Sequence, residues 1–136
     1  MNQEQLQRKA AEIQWLKGQA GQLEQEITMV QRGLEELDSS RQALDAFGDV
    51  AAGSLFPLGS GIFAKAKLTE SDRVLVDVGG RVIVDMPVTD AKAVLERRKT
   101  IIQKNADELR AAYEDTMRRL STLNQEAEEM IRQNQS

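Results

Sequence analysis

The chain contains no cysteine and no histidine. The first absence excludes disulfides, a thiolate metal site and a cysteine nucleophile. The second removes the side chain that ordinarily changes charge near neutral pH, and with it the imidazole metal ligand. Aromatic residues make up only 4 % of the 136 residues, too few for a thick globular core. No apolar stretch approaches the ~20 residues that span a bilayer, so no membrane association is expected. The opening MNQEQLQRKAAEIQ is polar from its second residue, which predicts no secretory signal. A G-x-x-x-x-G-K-[ST] loop is missing, and the GGRV at 79–82 lacks the lysine and helix entry of a phosphate cradle. Carboxylates abound, but the pattern places them on solvated helical faces. An enzyme is not expected, and neither is a cofactor or a metal.

The charge balance adds a further exclusion. Eighteen basic residues against 22 acidic ones leave a net charge of −4. Nucleic-acid binding draws most of its affinity from cations that neutralise phosphates, so this chain starts with that contribution against it. Arg97-Arg98-Lys99 is the one basic triplet. With no aromatic or further basic residues beside it, it reads as a solvated helix face.

What is present is a heptad. In the first 47 residues one column holds Leu6, Ile13, Ala20, Ile27 and Leu34, then Arg41. The other holds Lys9, Leu16, Leu23, Val30, Leu37 and Leu44. Alternating steps of three and four give one narrow seam, the signature of helices wound around a partner. Only Lys9 and Arg41 carry charge in it, and Lys9 is expected to weaken closure at its end. Residues 89–136 repeat the pattern. Leu95, Ile102, Leu109, Thr116, Leu123 and Met130 form one column, and Lys99, Ala106, Tyr113, Leu120 and Ala127 the other. Thr89 or Asp90 is the expected cap of this helix, with Pro87 discouraging helix before it.

Each helix of roughly 45 residues would reach about 65–70 Å, and equal lengths allow antiparallel pairing throughout. Partners whose numbers sum to about 136 set Leu6 near Met130 and Leu16 near Leu120. A slip of one heptad would also bury mostly apolar residues, so periodicity leaves the register open. Gly18, Gly21 and Gly33 lie off the seam. They read as tolerated surface glycines or as a softening of the arm, at about 1 kcal/mol each relative to alanine.

Between residues 48 and 88 the period changes to alternation. Leu55–Leu58 and Ile62–Leu68 flank Gly59-Ser60-Gly61, a hairpin signal. After a Thr69-Glu70-Ser71-Asp72 connector, Arg73–Val78 and Val82–Met86 flank Gly79-Gly80. A two-residue Gly-Gly loop would leave apolar side chains on both faces of this second hairpin. A three-residue loop including Arg81 would instead gather Val74, Val76, Val78, Val82, Val84 and Met86 on one face, with Asp77 and Asp85 sharing the other with Leu75 and Ile83. Four short strands cannot cover this much apolar surface alone, and their edges stay open. Pairing between subunits is expected, with Leu55, Phe56, Ile62, Phe63 and that valine–methionine set as the oligomerisation residues. The fold class expected is α+β: one domain built as a long antiparallel coiled-coil hairpin around two β-hairpins that pair between subunits into a barrel-like platform.

This layout resembles the alpha class of prefoldin over essentially the whole chain. The segment SLFPLGSGIFAKAKLTESDRVLVDVGGRVIVDMPVTDA carries the likeness most specifically. Two central hairpins match the alpha class, where beta-class subunits have one. The resemblance implies a cytoplasmic hexamer of two alpha-class and four beta-class subunits. It also implies a double β-barrel base and arms that hold non-native polypeptides without ATP and deliver them to a group II chaperonin.

For such a holdase the arm ends are the candidate client site: Leu6, Ile13 and Leu16 on one helix, Leu123, Met130 and Ile131 on the other. Each is equally an ordinary coiled-coil position, so the functional reading needs the end turns to splay. Trp15 belongs to neither column and should point outward. A rigid aromatic is a favoured anchor for apolar partners, while Met130 offers an adaptable surface. Glu126, Glu128 and Glu129 form an acidic end, a solvated surface or a salt-sensitive dock for a basic chaperonin surface. The alternatives are a structural coiled-coil scaffold without client binding and an RNA-binding helical arm, the latter discouraged by the acidic balance.

Overall fold

The computed structural model describes residues 3–47, 53–70 and 72–135. Helix α1 spans Gln3–Asp45 and helix α2 spans Val88–Gln135. Between them lie strands β1 (Ser54–Gly59), β2 (Ile62–Ala66), β3 (Arg73–Gly79) and β4 (Val82–Pro87). The expected boundary at Gly48 and the connector residue Ser71 lie outside the described residues. The chain divides into two compact units, Met1–Gly33 with Ile102–Ser136 and Leu34–Ile101.

The first unit is the antiparallel helix pair. Its seam residues Ile13, Leu16, Ala20 and Leu120 form a buried cluster, with Tyr113, Leu123 and Ala127 packed against it. Ala106 and Met130 are buried further along the same seam. Polar contacts across the helices settle the register. Lys9 pairs with Glu126, and Arg119 reaches Glu12 at 3.4 Å. The Tyr113 hydroxyl donates to Glu24 Oε1 at 2.7 Å. Lys9 with Glu126 sums to 135 and Glu24 with Tyr113 to 137, the alignment near 136. A one-heptad slip would have moved these sums by seven. Gly18, Gly21 and Gly33 have nothing within 4 Å of where a Cβ would stand, so packing does not require glycine at any of them.

The second unit holds the end of α1, both hairpins and the start of α2. β1 pairs antiparallel with β2, and β3 with β4, as two separate two-stranded sheets. The hairpins share one plan offset by 20 residues. Ser60-Gly61 and Gly80-Arg81 form the two-residue loops, with φ of 53°, 79°, 59° and 64° in chain order. Two successive positive φ values are the mark of the type I′ turn, whose twist suits a hairpin. Just before each loop a register shift occurs, between Pro57 and Gly59 and between Asp77 and Gly79. Leu58 and Val78 are the residues the ladders skip. Gly59 and Gly79 follow them at φ 107° and 111°, a backbone region that side chains rarely enter.

Both expected loops are corrected by this geometry. Neither Gly59-Ser60-Gly61 nor Gly79-Gly80 is the loop itself, because the leading glycine still pairs, with Ile62 and Val82 respectively. The strand bodies nevertheless keep the alignment of the three-residue alternative. Val74 faces Met86 and Val76 faces Val84, while Leu75 faces Asp85 and Asp77 faces Ile83.

The cap expected at Thr89 or Asp90 is also corrected. α2 begins at Val88, directly after β4 ends at Pro87. The Val88 N–H donates to the Asp72 carbonyl at 2.9 Å. Thr89 and Asp90 therefore sit inside the first turn, where the Asp90 carboxylate complements the helix dipole. Proline confines its predecessor to extended geometry but is itself a good residue to lead into a helix, so strand passes straight into helix.

Candidate functional site

The arm end gathers some of the expected client residues and separates others. Ile13 and Leu16 are buried in the cluster, Leu16 to 2 % exposure, and Met130 is buried at 9 %. Leu6 and Leu123 are half-buried. Trp15 stands outside at 60 % exposure, and Ile131 at 43 %. The outward direction of Trp15 follows from its heptad place: it lies one residue before seam residue Leu16.

Lys9 behaves differently from its sequence-based expectation. It sits in the seam but meets the Glu126 carboxylate of the opposite helix, so it ties the helices together instead of weakening closure. The acidic end is also partly neutralised from within. Glu126 faces Lys9, and Glu128 and Glu129 each lie 3.9 Å from Arg132. The hydrogen bond to the Glu24 carboxylate raises the Tyr113 hydroxyl above its ordinary value of 10.0, helped by desolvation and the carboxylate's charge.

In the second unit the exposed apolar residues concentrate on the hairpins. Leu55, Ile62, Phe63, Val78, Val82 and Val84 are exposed, while Phe56, Val74, Val76 and Met86 are half-buried. Strand alternation explains the first hairpin, where Ser54, Phe56 and Ala64 turn inward and Leu55 and Phe63 outward. Three strongly exposed hairpin residues stand outside the expected set: Leu58, Leu75 at 72 % and Ile83. Leu75 and Ile83 share a face with Asp77 and Asp85, as the three-residue alternative placed them. Leu58 is thrown out by the register shift, which alternation cannot register. Both faces of the second hairpin thus carry uncovered aliphatic surface.

Two polar devices hold this unit. Arg98 donates to the Asp77 carbonyl, and the Asp77 carboxylate accepts the Gly79 N–H at 2.9 Å. The basic triplet is therefore not merely solvated, since Arg98 braces the second hairpin against α2. At the foot of α1, seam residue Arg41 pairs with Glu96. Lys92 meets Asp45 at 2.8 Å, and Arg41 lies 3.6 Å from the same carboxylate. The Lys92 hydrogen bond, with the charges of Lys92 and Arg41 and against partial desolvation, holds the Asp45 carboxyl below its ordinary 3.8.

No group of three or more Asp, Glu, His or Cys among the described residues is placed to hold a metal ion. No helix among them is long and apolar enough to cross a membrane.

Comparison with known proteins gives a consistent picture. The family model described as Prefoldin subunit matches residues 16–133. The prefoldin subunit alpha of Methanothrix thermoacetophila is 36 % identical over 98 residues, covering 71 % of this chain and 64 % of that relative. The chain thus spans just under two thirds of that relative's length. The prefoldin subunit alpha of Methanosarcina barkeri is 26 % identical over an alignment of 141, covering 100 % of this chain and 98 % of its own. Among solved structures, a filamentous PFD from Methanocaldococcus jannaschii shares the fold at a TM-score of 0.51 and 20 % identity. That likeness covers 92 % of this chain and 99 % of the other. Two long helices enclosing two β-hairpins and the family match over most of the chain lead to one conclusion: the chain belongs to the prefoldin subunit family, in its alpha class, and is a chaperone-type subunit.

Proposed function

We propose that this chain is an ATP-independent holdase subunit that captures non-native polypeptides at the end of its helical arm. The observation that carries this reading is the contrast at the arm end. Leu16 is sealed inside, whereas its neighbour Trp15 presents 60 % of its surface to solvent, with Ile131 also exposed. A large rigid aromatic beside a closed seam offers apolar contact without opening the coil. Leu6, Ile13, Leu16, Leu123 and Met130 add to that surface when the terminal turns splay. This activity requires no catalytic group, cofactor or nucleic acid.

The hairpins are the assembly surface in this reading. Their open edges and exposed Leu55, Phe63, Leu75 and Ile83 suit β-pairing with further prefoldin subunits, beta-class chains foremost. Family membership supports a cytoplasmic hexamer of two alpha-class and four beta-class subunits, and handover of clients to a group II chaperonin.

The test is aggregation of a chemically unfolded model protein on dilution, without ATP, in the presence of the assembled complex. Intact complex is expected to suppress aggregation. A complex lacking about the first 16 and last 10 residues of this chain, verified as assembled, should suppress it less. Loss of suppression by neither trimming nor point change, or no suppression at all, returns the chain to the role of a coiled-coil scaffold.

A further inference from the structure

We infer that Lys9 and Arg41, the two cations of the α1 seam, select the register of the helix pair and thereby decide which apolar residues meet at the arm end. The inference does not depend on the holdase reading.

Apolar residues alone choose the register poorly. Shifting α2 by one heptad in either direction keeps the seam mostly aliphatic. With sums near 143, Leu23 meets Leu120 and Leu34 meets Leu109; with sums near 129, Leu6 meets Leu123 and Ile27 meets Ile102. The cations discriminate. In the observed register Lys9 faces Glu126 and Arg41 faces Glu96. In the first slip the equivalent positions hold Gln133 and Gln103; in the second they hold Arg119 and Thr89. In neither does a cation of the α1 seam meet a carboxylate, and in the second Lys9 approaches an arginine. A half-buried charge that loses its partner is costly, and one polar residue in a coiled-coil seam is a known means of fixing register.

The off-seam pair at the foot of α1 does not share this property. Asp45–Lys92 is replaced by Asp45 facing Lys99 in the first slip, and by Lys92 facing Asp38 in the second. Within the seam, selection therefore falls to Lys9 and Arg41; the rim pair Glu12–Arg119 reinforces it, since a slip sets Glu12 against Glu126 or Ala112. The consequence reaches the arm end, because a slipped heptad leaves the last seam residues of one helix without an opposite.

The absence of native cysteine allows a direct test by paired cysteines in the full chain. Ala20→Cys with Thr116→Cys reports the observed register. Ala20→Cys with Leu123→Cys, or with Leu109→Cys, reports the two slips. A heptad moves a residue by about 10 Å, beyond the ~7 Å Cα separation a disulfide tolerates. Intrachain links are read on non-reducing gels and mapped by mass spectrometry, with circular dichroism verifying each fold. With Lys9 and Arg41 in place, only the Thr116 pair should oxidise efficiently. In Lys9→Leu/Arg41→Leu, which adds seam hydrophobicity, the slipped links should rise at least about threefold. Within Arg41→Leu, Lys9→Glu should favour the Leu109 link, where the introduced carboxylate would face Arg119. Adding Glu126→Lys should suppress that link again. Native-only links in the double leucine variant, or slipped links indifferent to the charge at position 9, overturn the proposal.

Discussion

Adjacent residues Trp15 and Leu16 should respond to alanine in opposite ways. Leu16 is 2 % exposed and touches the Ile13, Ala20 and Leu120 cluster. Truncating it removes three carbons, about 2.4 kcal/mol of transfer free energy at ~0.8 per methylene. A cavity contribution adds to this, but only two helices enclose the site, so partial collapse keeps the total near the lower end of the ~2–5 kcal/mol range. Leu16→Ala should therefore cost about 2–3 kcal/mol and lower Tm by roughly 6–12 °C. Trp15→Ala, at an exposed position, should change stability by roughly 0.5 kcal/mol. Thermal melts followed at 222 nm test this, run at one protein concentration because assembly contributes to apparent stability. In the aggregation assay the order should reverse at temperatures where both variants are folded: Trp15→Ala loses suppression and Leu16→Ala retains most of it. Equal destabilisation by both changes would refute the assignment of Trp15 as a solvent-facing anchor. A destabilised Leu16→Ala with a fully active Trp15→Ala would leave the fold intact and remove Trp15 from client capture.

Three further outcomes follow from the polar contacts and the hairpins. Tyr113 is the single tyrosine, so tyrosinate absorbance near 295 nm reports it alone; its midpoint should lie above 10.0 and fall toward that value in Glu24→Gln. Because the folded state raises this pKa, the bond's stabilisation is present below pH ~10 and is lost as pH climbs through the raised value. Asp45 runs the other way: its folded pKa is depressed, so its contribution is present above pH ~3.8 and disappears as pH falls through the lowered value. Asp45→Asn should flatten that acid limb in a pH series of denaturant melts. Ile83→Asp places a charge on an exposed hairpin face and should leave helicity unchanged while reducing the assembled mass seen by light scattering; undiminished assembly would remove that face from the interface.

The arms were legible because heptad columns report burial directly, and the seam residues named from spacing are those that form the buried cluster. Periodicity did not reveal what the seam charges do. Lys9 looks disruptive when only its own helix is considered, whereas its effect depends on Glu126, 117 positions away. The hairpins were legible as hairpins from glycine placement, and the body register of the second emerged as one of two alternatives. Their detailed turns were not, because two-residue alternation has no means of marking a skipped residue. Leu58 and Val78 fall at that skip. Thr89 and Asp90 carried a sound capping signal, but the helix starts earlier, at Val88, whose N–H the Asp72 carbonyl accepts. Arg98 illustrates a different limit, since its acceptor is a backbone carbonyl, and no side-chain motif announces one.

The 20-residue offset between the hairpins has a consequence in the language of polymer chemistry. Each hairpin repeats the same turn and the same skipped residue on a separate two-stranded sheet with open edges. In the assembly proposed above, a chain carrying two such joints offers twice the pairing edges of a chain carrying one, and so acts as a branching unit. A branching unit would then tie several neighbours into one particle, as a cross-linker does in a polymer network.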